Sequence, residues 1–253
     1  MTERILICEP CPEGIFSAVY TAYEKKLEPE ITHIQLGKVE NYRLFTEYME
    51  VETDVKKAHK VERSLRKKLG AFTAESLWYA LSSVHPDRGD AVYHTIVRGL
   101  SGAFSGELMD YLQDPYVNLV SKLRIRVWHE IHQFMGFLRF AQLESGILYS
   151  EIQPENYILP FLGEHFADRF PNEDFLIRDK GRNLYLVHQV GEEYFLFKGQ
   201  KNTSLPEYAK EEEEIQQLFR CFVQAVSIKE RENRRLQQQM LPLRFRKNMV
   251  DFD

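Results

Sequence analysis

The stretch DFLIRDKGRNLYLVHQVGEEYFLF, residues 174–197, carries three short strand-like runs, FLIRD, NLYLVHQV and EYFLF. Turn signals at Lys180 to Arg182 and Gly191 to Glu192 separate them. Just upstream, GILYSEI, Gly146 to Ile152, is also strand-like, and a helix with Pro160 in its first turn runs from there to about Phe170. The texture before this region is different. From about Tyr42 to Gln142 the periodicity is helical almost throughout, with breaks at Gly70, Pro86 to Gly89, Gly99 to Gly106 and Asp114 to Pro115. At the start of the chain, Arg4 to Cys8 reads as a buried strand, Pro12 to Lys26 as a helix and Ile31 to Leu36 as a second strand, a β-α-β opening. A last helix is expected over Pro206 to Gln239, with the acidic run Glu211 to Glu214 at its start, where negative charge suits the helix dipole. Helices and strands are therefore segregated, and the expected class is α+β. The expected organisation is one extended domain, 1–253, with a β-α-β element (1–40), a helical region (41–145) and an α+β region (146–253) built on a small, mostly antiparallel sheet.

The chain has 253 residues, of which 43% are hydrophobic and 28% charged, the balance of a soluble globular protein with a sizeable core. No charged leader precedes an apolar region, and no apolar run approaches the ~20 residues that span a bilayer. A cytoplasmic location without membrane association is the expectation. The three cysteines, Cys8, Cys11 and Cys221, are too few for a disulfide framework.

A formal net charge of −5 gives no global attraction to nucleic acid, so any such contact must come from a local basic stripe. The run ETDVKKAHKVERSLRKKLG supplies one. Thr53 is placed to cap a helix whose apolar stripe is Val55, Ala58, Val61, Leu65 and Leu69, while Lys56, Lys57, Lys60, Arg63, Lys67 and Lys68 lie mostly outside it. Such a face is either simply solvated or contacts phosphates.

The central stretch RIRVWHEIHQFMGFLRFAQLESG holds the strongest candidate site. At 100° per residue Val127, Ile131, Phe134, Met135 and Leu138 form a core arc, and His129, His132, Gly136 and Arg139 fall on nearly the opposite one. A helix-interior glycine costs about 1 kcal/mol relative to alanine, so Gly136 suggests the close approach of another backbone or a ligand. Phe140 lies beside the stripe, either stacking on a base or completing the core. The plainer alternative is that the histidines are satisfied packing residues and that Arg139 pairs with Asp168 or Asp179. In the next helix His165 and Arg169 share a face; Arg169 could hold a phosphate or carboxylate, or bridge to Glu173 or Asp174. No metal site is expected, because His129-Glu-Ile-His132 is one residue short of the zincin motif and no third ligand follows at a recognisable spacing.

No Ser-His-Asp order, phosphate-cradling glycine loop or dinucleotide fingerprint is present, and no cofactor is expected. Cys8 and Cys11 form a C-x-x-C at a strand-to-helix turn, a position that can lower a thiol pKa. A glutaredoxin-like fold would also need a later proline facing the thiols, and there is none between Leu36 and Val84. The pair is therefore expected to be a local feature of the turn.

Three segments carry a family resemblance: EGIFSAVYTAYEKK; VWHEIHQFMGFLRFAQLESGILYSEIQPENYILPFLGEHFADRFPNEDFLIRDKGRNLYLV; and IKERENRRLQQQMLPLRFRKN. Together they resemble a bacterial family of DNA-repair or DNA-metabolism proteins described by a domain of unknown function. The likeness covers almost the whole chain and is weakest from Gln35 to Leu100. Members are typically encoded beside a DNA-modification or repair radical SAM protein, and in some lineages the domain is fused to a uracil-DNA glycosylase-like domain. The family's pattern falls on His132, Gly136, Phe137, Arg139 and Phe140, then on His165, Phe166, Arg169 and Phe170, then on Asp179, Pro242 and Arg244.

The resemblance implies DNA and a radical SAM protein as partners. Three functions follow as expectations: a DNA-binding protein using Arg139, Arg169, Arg244 and the Lys56 to Lys68 helix; an adaptor that docks to the radical SAM protein without touching DNA; or a base-processing enzyme with His132 or Asp168 as general acid or base. The nucleic-acid or ligand-binding candidates are His132, Gly136, Arg139, Phe140, His165, Arg169 and Arg244. Neither the reaction nor the oligomeric state is legible.

Overall fold

A computed structural model of the chain describes residues 2–39, 41–102, 106–199, 208–226, 233, 235 and 241–246. The chain forms two compact units, Met1–His129 with Glu155–Tyr157, and Glu130–Pro154 with Ile158–Asp253. Helices and strands are mixed and segregated as the α+β reading expects. No helix among the described residues is long and apolar enough to cross a membrane.

In the first unit β1 (Glu3–Cys8), α1 (Pro12–Glu24) and β2 (Thr32–Leu36) form the expected β-α-β element, with β1 and β2 parallel from Arg4↔Thr32 to Cys8↔Leu36. Pro12 starts α1 because its missing N–H is one the first turn cannot use, and the apolar face Ile15, Phe16, Val19 and Ala22 is fully buried against the sheet and the helices around it. The segment Thr46–Glu50 departs from the helical expectation: it is strand β3, parallel to β1 on the side opposite β2, giving the order β2-β1-β3. Its sequence, TEYME, has helix-forming Glu and Met, and what decides its state is the free edge of β1, where five register pairs run from Glu3↔Thr46 to Ile7↔Glu50.

Then come α2 (Val55–Leu69), α3 (Ala71–Leu81) and α4 (Arg88–Leu100), and after a short 3-10 turn the long helix α5 (Pro115–Phe137). The cap of α2 is Asp54 and not Thr53. The Asp54 carboxylate accepts from Lys56 N (2.8 Å) and Lys57 N (3.2 Å), whereas the Thr53 hydroxyl donates to Glu9. The core of this unit joins Leu6, Phe16, Leu77, Leu81, Tyr93 and Ile96, and Phe16 meets Trp78 edge-on at 5.6 Å.

The second unit begins within α5 at Glu130 and carries a five-stranded sheet in the order β4-β5-β6-β7-β8. These are β4 (Ala141–Gln142), β5 (Leu148–Ile152), β6 (Phe175–Asp179), β7 (Leu184–His188) and β8 (Phe195–Lys198). Only β5 and β6 are parallel, and α6 (Leu159–Arg169) is the crossover between them. Among the described residues α7 (Lys210–Val226) and α8 (Leu243–Arg246) follow the sheet. Beyond residue 226 the rest of the expected Pro206 to Gln239 helix lies outside the described residues, apart from 233 and 235. Near the start of α7 the Glu212 carboxylate accepts from Gln142 N at 2.9 Å, tying the helix to the sheet edge.

Candidate functional site

The clearest cluster of chemistry-bearing side chains lies in the first unit, along the outer edge of β2. His33 is on that strand, and Asp90 and His94 are one turn apart on α4. Asp90 Oδ1 accepts from Ile34 N at 3.1 Å, satisfying an N–H that the edge strand offers to no other strand. His33 Nδ1 lies 3.1 and 3.2 Å from the two oxygens of the same carboxylate. His94 Nε2 is 3.4 Å from Asp90 Oδ1 but off the direction a ring N–H needs, and it is buried without a hydrogen-bond partner. The His94 ring is held flat on Tyr116, centroids 4.2 Å apart.

The electrostatics of the three follow from this geometry. Burial opposes ionisation of Asp90, yet the His33 hydrogen bond, the adjacent His94 and the Ile34 N–H together hold its carboxyl well below the usual range. The hydrogen bond to Asp90 raises the His33 pKa, against a smaller effect of burial. His33 and Asp90 also line an open cavity of about 630 Å³, with Lys38 and Arg43 on its wall. One donor each from His33, Asp90 and His94 can be chosen so that all lie within 4.8 Å of one another. The metal reading weighed on sequence concerned the α5 histidines; the three residues that geometry assembles were not among its candidates. An (i, i+4) Asp90–His94 pair is visible in sequence, but His33 is 57 positions from Asp90 and only the fold joins them.

The residues singled out on sequence lie in the second unit. His132 is exposed on α5. Gly136 is exposed too, and no described atom outside its own helical turn and chain neighbours comes within 4 Å of where its Cβ would stand, so among the described residues no other backbone approaches it closely. Arg139 turns back on its own helix. Its Nη1 donates to Gly136 O (3.0 Å) and Leu138 O (3.2 Å), carbonyls at the end of α5 that have no helical partner, and it does not pair with Asp168 or Asp179. Asp179 is fully buried and accepts from Arg182 N and Arg182 Nη1.

Phe140 packs edge-to-face on Phe166, Phe170 and Phe175 at 5.3, 5.3 and 5.7 Å, which makes it part of an aromatic core. His165 meets Phe166 edge-on at 4.9 Å and keeps a buried Nε2 without a hydrogen-bond partner. The Arg169 guanidinium is exposed over the Phe170 ring at 5.8 Å. Phe140, His165 and Arg169 thus converge on one aromatic cluster, while Arg139 serves its helix end. Arg244 is in α8, and its side chain lies outside the described residues.

The C-x-x-C turn is built for structure. Cys8 ends β1 inside the core, and Cys11 is the N-cap of α1, its Sγ accepting from Gly14 N at 3.3 Å. Burial, followed by the neighbouring Cys11, pushes the Cys8 thiol up to about 12, and burial also raises Cys11. Both shifts run opposite to those of an activated thiol. Reaction of the native protein with an aromatic disulfide reagent at pH 8 is therefore expected to modify exposed Cys221 first and Cys8 only after unfolding. Fast labelling of Cys8 in the folded protein would contradict this.

No curated protein matches the chain. Among solved structures it is similar to the DHH domain of a protein described as a member of a family of ribosomal proteins, with 10% identity, 75% of this chain and 74% of that chain covered, and a TM-score of 0.31. The family described as a domain of unknown function, DUF4130, matches residues 86–251, which include Asp90, His94 and nearly all of the second unit, and this chain belongs to that family.

Proposed function

We propose that the protein binds nucleic acid in DNA metabolism, beside a radical SAM partner, through the basic face of α2. The observation that carries the reading is the line Lys56, Lys60, Arg63 and Lys67: all four are exposed, and no carboxylate partner is found for them among the described residues. They recur every three to four residues and so share an arc of about 60°, opposite the buried Ala58 and Leu65. At ~1.5 Å of rise per residue, successive cations are about 4.5–6 Å apart along the axis. That spacing is of the order of the charge spacing along a nucleic-acid strand, about 3.4 Å of axis per phosphate. Arg66 and Lys68 widen the patch, in a chain whose net charge is −5. The helix is seated on the core by Ala58 and Leu65, with Val61 and Leu69 partly buried beside them, and its opposite side is exposed. The likeness to DNA-repair and DNA-metabolism proteins supports the choice of polymer and the radical SAM partner.

Fluorescence anisotropy with labelled single- and double-stranded oligonucleotides tests this reading. Affinity is expected to fall steeply with salt, with a log–log slope of about −3 to −4 on duplex if four phosphates are neutralised. The triple variant Lys60→Glu, Arg63→Glu, Lys67→Glu is expected to weaken binding at least tenfold with its circular dichroism unchanged. Absence of binding to either oligonucleotide at low salt would reject direct recognition, and failure to co-purify with the co-expressed radical SAM protein would reject the partner.

A further inference from the structure

The geometry points to a divalent transition-metal site in the first unit, ligated by His33, Asp90 and His94. This goes beyond the nucleic-acid reading and does not depend on it, since none of the three residues belongs to α2. Four observations converge. The donor set is two imidazoles and one carboxylate, the set that binds zinc or ferrous iron with a position left for water or substrate. Asp90 Oδ1 stands 3.2 Å from His33 Nδ1 and 3.4 Å from His94 Nε2, close to the ~3.3–3.4 Å at which a tetrahedral ion with bonds of ~2.0–2.1 Å holds its ligands, and the three donors all lie within 4.8 Å of one another. His94 is buried, with only 9% of its side chain exposed, and its Nε2 is a polar atom without a hydrogen-bond partner, 3.4 Å from the carboxylate. A buried polar atom of that kind costs free energy unless something pairs with it. Finally, access is provided by the cavity that His33 and Asp90 line, where Lys38 and Arg43 favour an anionic exchangeable ligand.

The outer shell is also in place. Asp90 receives the Ile34 N–H, which fixes the carboxylate, and the Tyr116 ring fixes the plane of His94. Without an ion the same residues act as a tie between β2 and α4, so the experiment must separate a metal site from a hydrogen-bonded tie.

The full chain, stripped with a chelator and exchanged into buffer, is titrated with Zn2+ by calorimetry and with Co2+ by visible absorption. One saturable equivalent is expected, with cobalt bands of a nitrogen and oxygen site and no sulfur-to-cobalt charge transfer. Asp90→Asn keeps an acceptor for Ile34 N–H, and His33→Asn alters a side chain at the cavity rim. Each is expected to weaken Zn2+ binding by at least ~100-fold with its secondary structure retained, while His59→Asn, on the solvated side of α2, leaves binding unchanged. Should Asp90→Asn fail to fold, His33→Asn decides alone. The proposal is overturned by absence of stoichiometric Zn2+ binding to the folded wild-type chain, by undiminished binding in His33→Asn, or by loss of binding in Cys8→Ser, which would place the ion on the thiols.

Discussion

Replacing Arg88 with methionine is expected to lower the stability of the first unit by about 3–5 kcal/mol, because the change orphans three carbonyl acceptors at roughly 1–3 kcal/mol each. Arg88 is 8% exposed, and its guanidinium ties three separate segments. Nε donates to Leu81 O at the end of α3 (3.1 Å), Nη1 to His85 O in the following turn (3.0 Å), and Nη2 to Pro10 O inside the C-x-x-C turn (2.8 Å). Methionine fills much of the volume but donates nothing. Lysine restores the charge without the planar fork and is expected to recover less than half of the loss. The measurement is well placed, since both tryptophans, Trp78 and Trp128, belong to the first unit and their emission during urea unfolding reports on it. Releasing Pro10 also loosens the turn around Cys8, so labelling of that thiol is expected to accelerate in the variant. A loss under about 1 kcal/mol would show that water replaces the guanidinium without penalty and that the three bonds are incidental.

Arg88 also marks the limit of what sequence alone conveys. The β-α-β opening and the strands β5 to β8 were legible because runs such as RILIC and LYLVH are apolar, β-branched or aromatic, and bounded by turn residues. Strand β3 was not, because TEYME has no strand pattern strong enough to oppose its helix-forming residues, and its conformation comes from pairing with β1. The cap of α2 shifted by one residue because Thr53 and Asp54 are both competent caps, and only the position of Glu9, which accepts from Thr53, distinguishes them. Gly136 illustrates a different limit. Its helical-wheel position suggested a close neighbour, but it sits one residue before the end of α5, where the carbonyl ladder is already open and Arg139 serves as the cap. A charged residue near a helix end has nearby carbonyls to satisfy, and a wheel projection does not show them.

The metal-capable cluster was missed for a topological reason. Asp90 and His94 are an ordinary (i, i+4) pair on a helix, and the third member arrives from an edge strand across a long sequence separation. Only the packing of α4 along β2 brings them together. The basic helix α2, by contrast, was fully visible, because charge on a helical face is a property of local spacing. In the second unit Arg139 caps its helix and Phe140 and His165 join the aromatic cluster, while His132, Gly136 and Arg169 are exposed; the functional reading adds two features of the first unit to them.

For the second unit, Phe166→Ala is expected to cost about 3–5 kcal/mol, the range for removing a buried phenyl ring. Phe166 is 1% exposed and lies against Phe140, His165 and Phe170, with Phe140 in turn edge-on to Phe175 of β6. Phe140→Ala removes three edge-to-face pairs worth about 0.5–1.5 kcal/mol each in addition to buried area, so a loss of about 3–5 kcal/mol is expected there as well. The second unit contains no tryptophan, so the readout is hydrogen–deuterium exchange of the β5 and β6 peptides, which should speed up in both variants. The pair of substitutions also decides between the two roles open to Phe140. Phe140→Leu nearly conserves volume and is expected to cost under about 1.5 kcal/mol. If the ring serves the core, that variant keeps wild-type affinity for single-stranded oligonucleotides. If the ring stacks on a base, affinity drops by about 1–3 kcal/mol, or some 5- to 150-fold, with exchange unchanged. Phe140 meets three other rings at steep angles within the aromatic cluster, so retained affinity in Phe140→Leu with faster exchange in Phe140→Ala is the expected result.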